Sequence, residues 1–269
     1  MPMEPYTPHA LWPGEEVEPA PGRTTALTFY PATNPTAGGA TILVCPGGGY
    51  HMLTEEKGRS VAAWLNALGF HAATLRYRLG PHHQHPAMIN DAQRAMRLIR
   101  ANAEAWGVHT DRVGIMGFSA GGHLASSLSV HHDRFASADD DLVDVQSARP
   151  NAAVLCYPVI DMAGAAAHTG SRGNLFGPKA DPEAVELMST HRHVTADTPP
   201  TFVWHTTDDA VVHVDNAIMY AQACYNVGVK VELHVYESGP HGLGMALDAG
   251  SVASWRDLCV SFLRRHLVT

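Results

Sequence analysis

Residues 112–124 read Arg112-Val113-Gly114-Ile115-Met116-Gly117-Phe118-Ser119-Ala120-Gly121-Gly122-His123-Leu124. The apolar run Val113 to Met116 has the length of a strand, and Leu124-Ala125-Ser126-Ser127-Leu128 reads as the start of a helix. Between them lies Gly-x-Ser-x-Gly, with Ser119 at its centre. Strand, tight turn and helix is the context in which this pattern forms a nucleophile elbow. The turn holds the serine in a strained backbone conformation, so that its hydroxyl stands clear of the sheet edge. Side chains at Gly117 and Gly121 would collide with the neighbouring strand and helix. In a chain with 24 glycines the pattern carries little weight by itself, and its partners have to be found elsewhere.

Upstream, Ala40 to Cys45 is a continuous apolar run, as expected of a strand buried on both faces. It leads into Pro46-Gly47-Gly48-Gly49-Tyr50. Three glycines after a strand form either a flexible loop or a set of closely approaching backbone donors, because no Cβ stands in the way. Beside an elbow the second reading is the stronger one. The N–H groups of Gly48, Gly49 and Ala120 would then face the oxyanion that develops when an acyl carbon is attacked. The spacing is not that of a dinucleotide-binding loop, which fails at His51-Met52.

Further out, strand and helix patterns alternate. Ala26–Tyr30 reads as an outer strand, 70–77, 152–157, 201–205 and 231–236 as further strands, and 58–68, 91–106 and 251–267 as helices. Such alternation predicts an α/β fold, a mostly parallel central sheet with helices on both faces. The expectation is one domain over 1–269, with an extended Pro- and Glu-rich arm at 1–23. An insertion or lid is expected at about 158–199, with a short helix near Pro182 to Ser189.

Ligands of open parallel sheets bind beyond the carboxyl ends of the strands. Besides the glycines and the elbow, two other loops there carry chemistry: Thr206-Thr207-Asp208-Asp209-Ala210-Val211-Val212, and Gly239-Pro240-His241-Gly242. The chain order Ser, Asp, His is that of α/β-hydrolases. Ser119 would attack, His241 would carry the proton, and an aspartate would orient the imidazole. Asp208 and Asp209 are adjacent and so point apart; Asp209 is preferred. His123 and His205 are read as packed or supporting residues. Tyr50, Phe118 and Val211 are expected to line the acyl pocket. The acidic run Asp139-Asp140-Asp141 is read as solvated surface.

Composition narrows the function. The net charge of −8 excludes the clustered Lys and Arg of non-specific nucleic-acid binders, and no apolar run approaches membrane-spanning length. The N-terminal residues lack a basic and an apolar leader segment, and the four scattered cysteines read as buried reduced thiols, so a cytoplasmic location is expected. His82-His83-x-His85 and His191-x-His193 lack the spacing of a helical zinc motif, and no metal or cofactor is expected.

Pro46-Gly-Gly-Gly-Tyr50, Tyr77-Arg78-Leu79, His85-Pro86, Asp91-Ala-Gln-Arg-Ala95, Gly117-Phe-Ser-Ala-Gly-Gly-His123, Asp208-Asp209-Ala-Val-Val212 and His241-Gly242 together carry a family resemblance. From about Ala26 onward the chain resembles the bacterial acetyl-esterase or acetylxylan-esterase-like α/β-hydrolases, near the hormone-sensitive-lipase-like group. The resemblance implies a serine carboxylesterase acting on short acyl esters, often acetyl groups on sugars such as xylo-oligosaccharides. It also favours Asp209, since the acid of that group precedes Val-Val. Two departures stand out. Pro46 replaces the histidine of His-Gly-Gly-Gly, and His213 stands where relatives often carry proline. The alternatives are an arylformamidase-like or peptidase-like amide hydrolase on the same triad, and a non-catalytic ligand-binding member of the fold.

Overall fold

The computed structural model describes residues 6–17, 24–135 and 141–268. The apolar runs form strands β1 (Pro8–His9), β2 (Ala26–Tyr30), β3 (Thr41–Cys45), β4 (His71–Arg76), β5 (Val113–Phe118), β6 (Ala153–Cys156), β7 (Thr201–Thr206) and β8 (Val231–Tyr236). The helices are α1 (Glu55–Ala67), α2 (Ala87–Ala101), α3 (Ala103–Trp106), α4 (Ala120–Val130), α5 (Thr169–Phe176), α6 (Pro182–Leu187), α7 (Asp215–Asn226) and α8 (Trp255–Leu267). Among the described residues the strands join in one sheet, in the order β1-β2-β4-β3-β5-β6-β7-β8. The pairs β1/β2 and β2/β4 are antiparallel and the rest are parallel. This is the α/β-hydrolase fold, with β5 near the centre of the sheet.

Because successive strand residues face opposite sides, each apolar strand feeds two cores. Ile42, Val44, Met116, Val154, Phe202 and Trp204 pack under α1 and α8. Leu43, Cys45, Ile115, Leu155 and Val203 pack under α2, α4 and α7. Covering both faces is why these strands read as continuous apolar runs rather than as alternating ones. Gly69 ends α1 at φ +87, and a Cβ there would lie 2.0 Å from the Thr36 hydroxyl, so the turn into β4 requires glycine.

Several elements differ from the sequence reading. The single helix expected over 91–106 runs as α2 and α3. Asn102 breaks it: its side-chain amide donates to the Leu98 carbonyl (2.8 Å) and its backbone sits at φ −97, ψ 12. The described part of the arm, 6–17, is fastened to the body. It supplies β1 at the sheet edge and buries Leu11, and the Trp12 indole N–H donates to Asp91 (2.8 Å). Residues 1–5 and 18–23 of the arm lie outside the described residues. Asp141 is not mere solvated surface: its carboxylate accepts from the buried Arg94 guanidinium (2.8 Å). The rest of that acidic run, Asp139 and Asp140, lies outside the described residues. The 158–199 insertion contains α5, which sequence periodicity does not reveal, and α6 near the expected position. Its Leu175, Val185 and Met188 join the core under α2 and α4.

Candidate active site

Ser119 sits between β5 and α4 with φ +57 and ψ −120, a conformation that costs energy for any residue with a side chain. Three backbone bonds hold it there. Its N–H donates to Cys156 O (3.0 Å), and its carbonyl accepts from His123 N–H and Val159 N–H (3.1 Å each). The glycines permit the turn. A Cβ on Gly117 would lie 2.0 Å from the Gly121 carbonyl, and one on Gly121 would lie 2.2 Å from the Cys45 carbonyl at the end of β3. Ala120 opens α4, so its N–H has no acceptor within the helix, and the positive end of the helix dipole lies at Ser119.

Ser119 Oγ lies 2.8 Å from His241 Nε2, and His241 Nδ1 lies 2.6 Å from Asp209 Oδ2. The carboxylate fixes the tautomer. Nδ1–H donates to Asp209, which leaves Nε2 bare to accept the serine proton. The Asp209 side chain is 1% exposed. Burial pushes its pKa up, but hydrogen bonds from His205, His241 and the Val212 and Val211 N–H groups outweigh that and hold it well below the usual carboxylate range. Its Oδ1 takes the two backbone donors (2.9 and 3.0 Å). His205 is wholly buried, with Nε2 2.9 Å from Val212 O and 3.2 Å from Asp209 Oδ2, so it supports the acid. Asp208 turns the other way and accepts from Ser238 Oγ–H and Gly239 N–H (2.6 Å each).

The glycine loop is oriented by its carbonyls. Gly47 O accepts from Thr54 N–H (3.1 Å), and Gly48 O accepts from His51 and Met52 N–H (3.1 Å each). In a trans peptide the carbonyl and the following N–H point oppositely, so the Gly48 and Gly49 N–H groups face away from the 51–54 turn. Gly47 itself lies against the elbow, where a Cβ would come 2.7 Å from the Phe118 carbonyl.

The expected pocket residues lie in three different settings. Tyr50 has no exposed surface and presents no face to a ligand. Phe118, 6% exposed, packs on Tyr157 and Trp255 in the core under α1 and α8. In both, the aromatic ring is turned into the protein interior. Val211 is 51% exposed, on the loop that carries Asp209. One residue escaped the sequence reading. Tyr157, at φ +37 just after β6, sets its ring edge-on to His241 (5.1 Å), and its hydroxyl accepts from Gly244 N–H (3.0 Å). An aromatic residue at a strand end beside the elbow strand is the signal that could have found it. Among the described residues no group of three or more His, Cys, Asp or Glu side chains could hold a metal ion, and no helix is long and apolar enough to cross a membrane.

With this geometry the comparisons with known proteins agree. The family model BD-FAE matches residues 27–223, which include Ser119 and Asp209 and stop before His241. The chain belongs to the BD-FAE family. It is 36% identical over 228 residues to an acetylxylan esterase of Xylanibacter ruminicola, covering 83% of this chain and 44% of that protein. It is 35% identical over 212 residues to endo-1,4-beta-xylanase B of Butyrivibrio fibrisolvens, covering 77% of this chain and 33% of that one. The chain thus spans less than half the length of these curated relatives. Among solved structures, an acetyl ester-xyloside bifunctional hydrolase from Caldicellulosiruptor lactoaceticus superposes with a TM-score of 0.89 at 39% identity, covering 97% of this chain and 96% of that one.

Proposed function

We propose that this chain is a serine carboxylesterase that removes short acyl groups, acetyl above all, from carbohydrates such as xylo-oligosaccharides. The observation that carries the reading is the unbroken relay from Ser119 Oγ through His241 to Asp209, at 2.8 and 2.6 Å. The similarity to an acetylxylan esterase supports the acetylated saccharide as substrate.

In the proposed mechanism Ser119 Oγ attacks the ester carbonyl carbon while His241 Nε2 takes its proton. Asp209 stays ionised and stabilises the imidazolium. The carbonyl oxygen becomes an oxyanion and accepts from the N–H groups of Gly48, Gly49 and Ala120. Collapse breaks the bond to the alcohol oxygen, which leaves with the proton from His241. Water then attacks the acyl-enzyme, giving up a proton to His241, and acetate departs as Ser119 regains its proton. Every proton is moved by the chain's own residues, and no cofactor takes part. Cytoplasmic residence belongs to the same proposal, supported by four buried free thiols at Cys45, Cys156, Cys224 and Cys259.

The test is hydrolysis of p-nitrophenyl esters from acetate to octanoate, wild type beside Ser119→Ala, with acetylated xylo-oligosaccharides in parallel. Preference for acetate, release of acetate from the sugars and loss of both in the variant are expected. A wild type silent on every ester overturns the reading.

A further inference from the structure

Tyr50 is the residue on which the glycine loop closes, and it is held in an unusual way. Its φ of +64 lies in the left-handed region, which a residue with a side chain occupies only when its surroundings compel it. Its ring is wholly buried and edge-on to Tyr77 (6.0 Å), whose own hydroxyl donates to Pro46 O at the start of the loop (2.7 Å). The Tyr50 carbonyl accepts from Gly80 N–H (2.9 Å). Its hydroxyl meets His123 Nδ1 at 2.7 Å.

His123 stands in the first turn of α4, four residues beyond Ser119, and has no exposed surface. Its Nε2 lies 2.8 Å from the Met188 carbonyl, at the end of α6 in the 158–199 insertion. A carbonyl only accepts, so Nε2 carries the proton, Nδ1 is bare, and the Tyr50 hydroxyl is the donor. Burial drives the His123 pKa down to about 4, and its charged neighbours would be His85 and His131, so it stays neutral in this role. One imidazole therefore joins the glycine loop, the elbow helix and the insertion. The insertion makes a second tie, because Asn174 on α5 donates from Nδ2 to Gly49 O (2.8 Å).

We propose that His123 is a positioning residue that, through the Tyr50 hydroxyl, holds the Gly48 and Gly49 N–H groups in register with that of Ala120, braced from behind by the insertion. The inference rests on the esterase reading above and says where its oxyanion donors get their rigidity. Tyr50 touches no substrate and acts through the backbone that precedes it. Loosening the loop weakens hydrogen bonds that strengthen only as the oxyanion forms, so the loss falls on turnover and not on ground-state binding.

The test uses Tyr50→Phe, which removes one oxygen and keeps the ring, and His123→Gln, whose amide keeps a donor for Met188 O while its one acceptor, Oε1, lies a bond further from the backbone than the Nδ1 that met Tyr50. Each is expected to lower kcat on p-nitrophenyl acetate by about 10-fold with KM within about twofold. Each should weaken a trifluoromethyl ketone inhibitor by the same factor as kcat/KM. The double variant should lose no more than either single one, since both cut the same link. Tyr50→Phe with kcat and inhibitor affinity within about twofold of wild type overturns the proposal. So does an additive double variant, or a loss in KM alone. A wild type without esterase activity overturns the reading on which it rests, whereas an active wild type with an unaffected Tyr50→Phe overturns this inference only.

Discussion

Asp208 and Asp209 are neighbours in the chain and hold the same loop from opposite sides. Asp208 accepts from Ser238 Oγ–H and Gly239 N–H, while Asp209 accepts from the His241 ring two residues further on. One carboxylate places the loop and the other orients its histidine. Asp209→Asn puts an amide where the acceptor for Nδ1–H stood, favours the wrong tautomer, and is expected to reduce kcat by about 10⁴-fold. Asp208→Asn keeps an acceptor for Gly239 and should cost less than about tenfold. Steady-state kinetics on p-nitrophenyl acetate rank the two, and the opposite order would move the acid to Asp208.

The relay itself makes a plainer prediction. Ser119→Ala and His241→Ala are each expected to lose about 10⁴-fold or more in kcat, and the double variant about the same, because the members act as a unit. Circular dichroism should be unchanged for Ser119→Ala, whose turn is held by backbone bonds. Activity that survives either change would rule out the mechanism.

The elbow glycines are expected to be intolerant on grounds of space. Gly117→Ala forces a methyl group within 2.0 Å of a carbonyl oxygen in α4, a backbone atom that cannot swing aside. A loss of about 3 kcal/mol is expected, seen as a fall of roughly 6–12 °C in Tm. Gly173 in α5 is the control: nothing lies within 4 Å of its added Cβ and its φ is ordinary. Gly173→Ala should be neutral or stabilising by about 0.5–1 kcal/mol. Calorimetry of the two variants side by side tests the contrast.

Acidification should weaken the fold through its buried histidines. Burial lowers the pKa of His123 to about 4, and burial together with His131 does the same for His85. Both lie below the unfolded value of about 6.5, so the unfolded chain binds more protons between pH 6.5 and 4. Stability therefore rises with pH across that window and is lost as pH falls through it. For His123 alone the loss at pH 5 is about 2 kcal/mol, or roughly 4–8 °C in Tm. Thermal scans at pH 7, 6 and 5 should show this slope, and His123→Gln should flatten it.

Much of this molecule is legible in its sequence because the central strands of a doubly covered sheet are mostly apolar. Thr41–Cys45, Val113–Phe118 and Thr201–Thr206 announce themselves that way. The three loops with Ser119, Asp209 and His241 could be aligned because they follow strand ends, and the structure brings these residues within hydrogen-bonding reach. What periodicity missed has local causes. β1 has only two residues and exists because β2 offers it an edge. α5 begins at a histidine cap, with His168 Nδ1 accepting from Ser171 N–H (3.2 Å), and contains two glycines, so no apolar stripe marks it. The inward turn of Tyr50 depends on a partner 73 residues away, His123, which no local pattern encodes.

The strand order sets a dimension. β6 lies between β5, which ends at the serine, and β7, which leads to the acid, so these two residues start two strand spacings apart, about 10 Å. Phe118 is paired with Cys156 and Cys156 with Trp204, which stops the strands from sliding. The sheet thus works as a gauge block, and a single imidazole is cut to its width. Chain can be added or removed in the excursions between strands without altering that gap, whereas one residue gained or lost inside β6 would break the register that holds the two strand ends level.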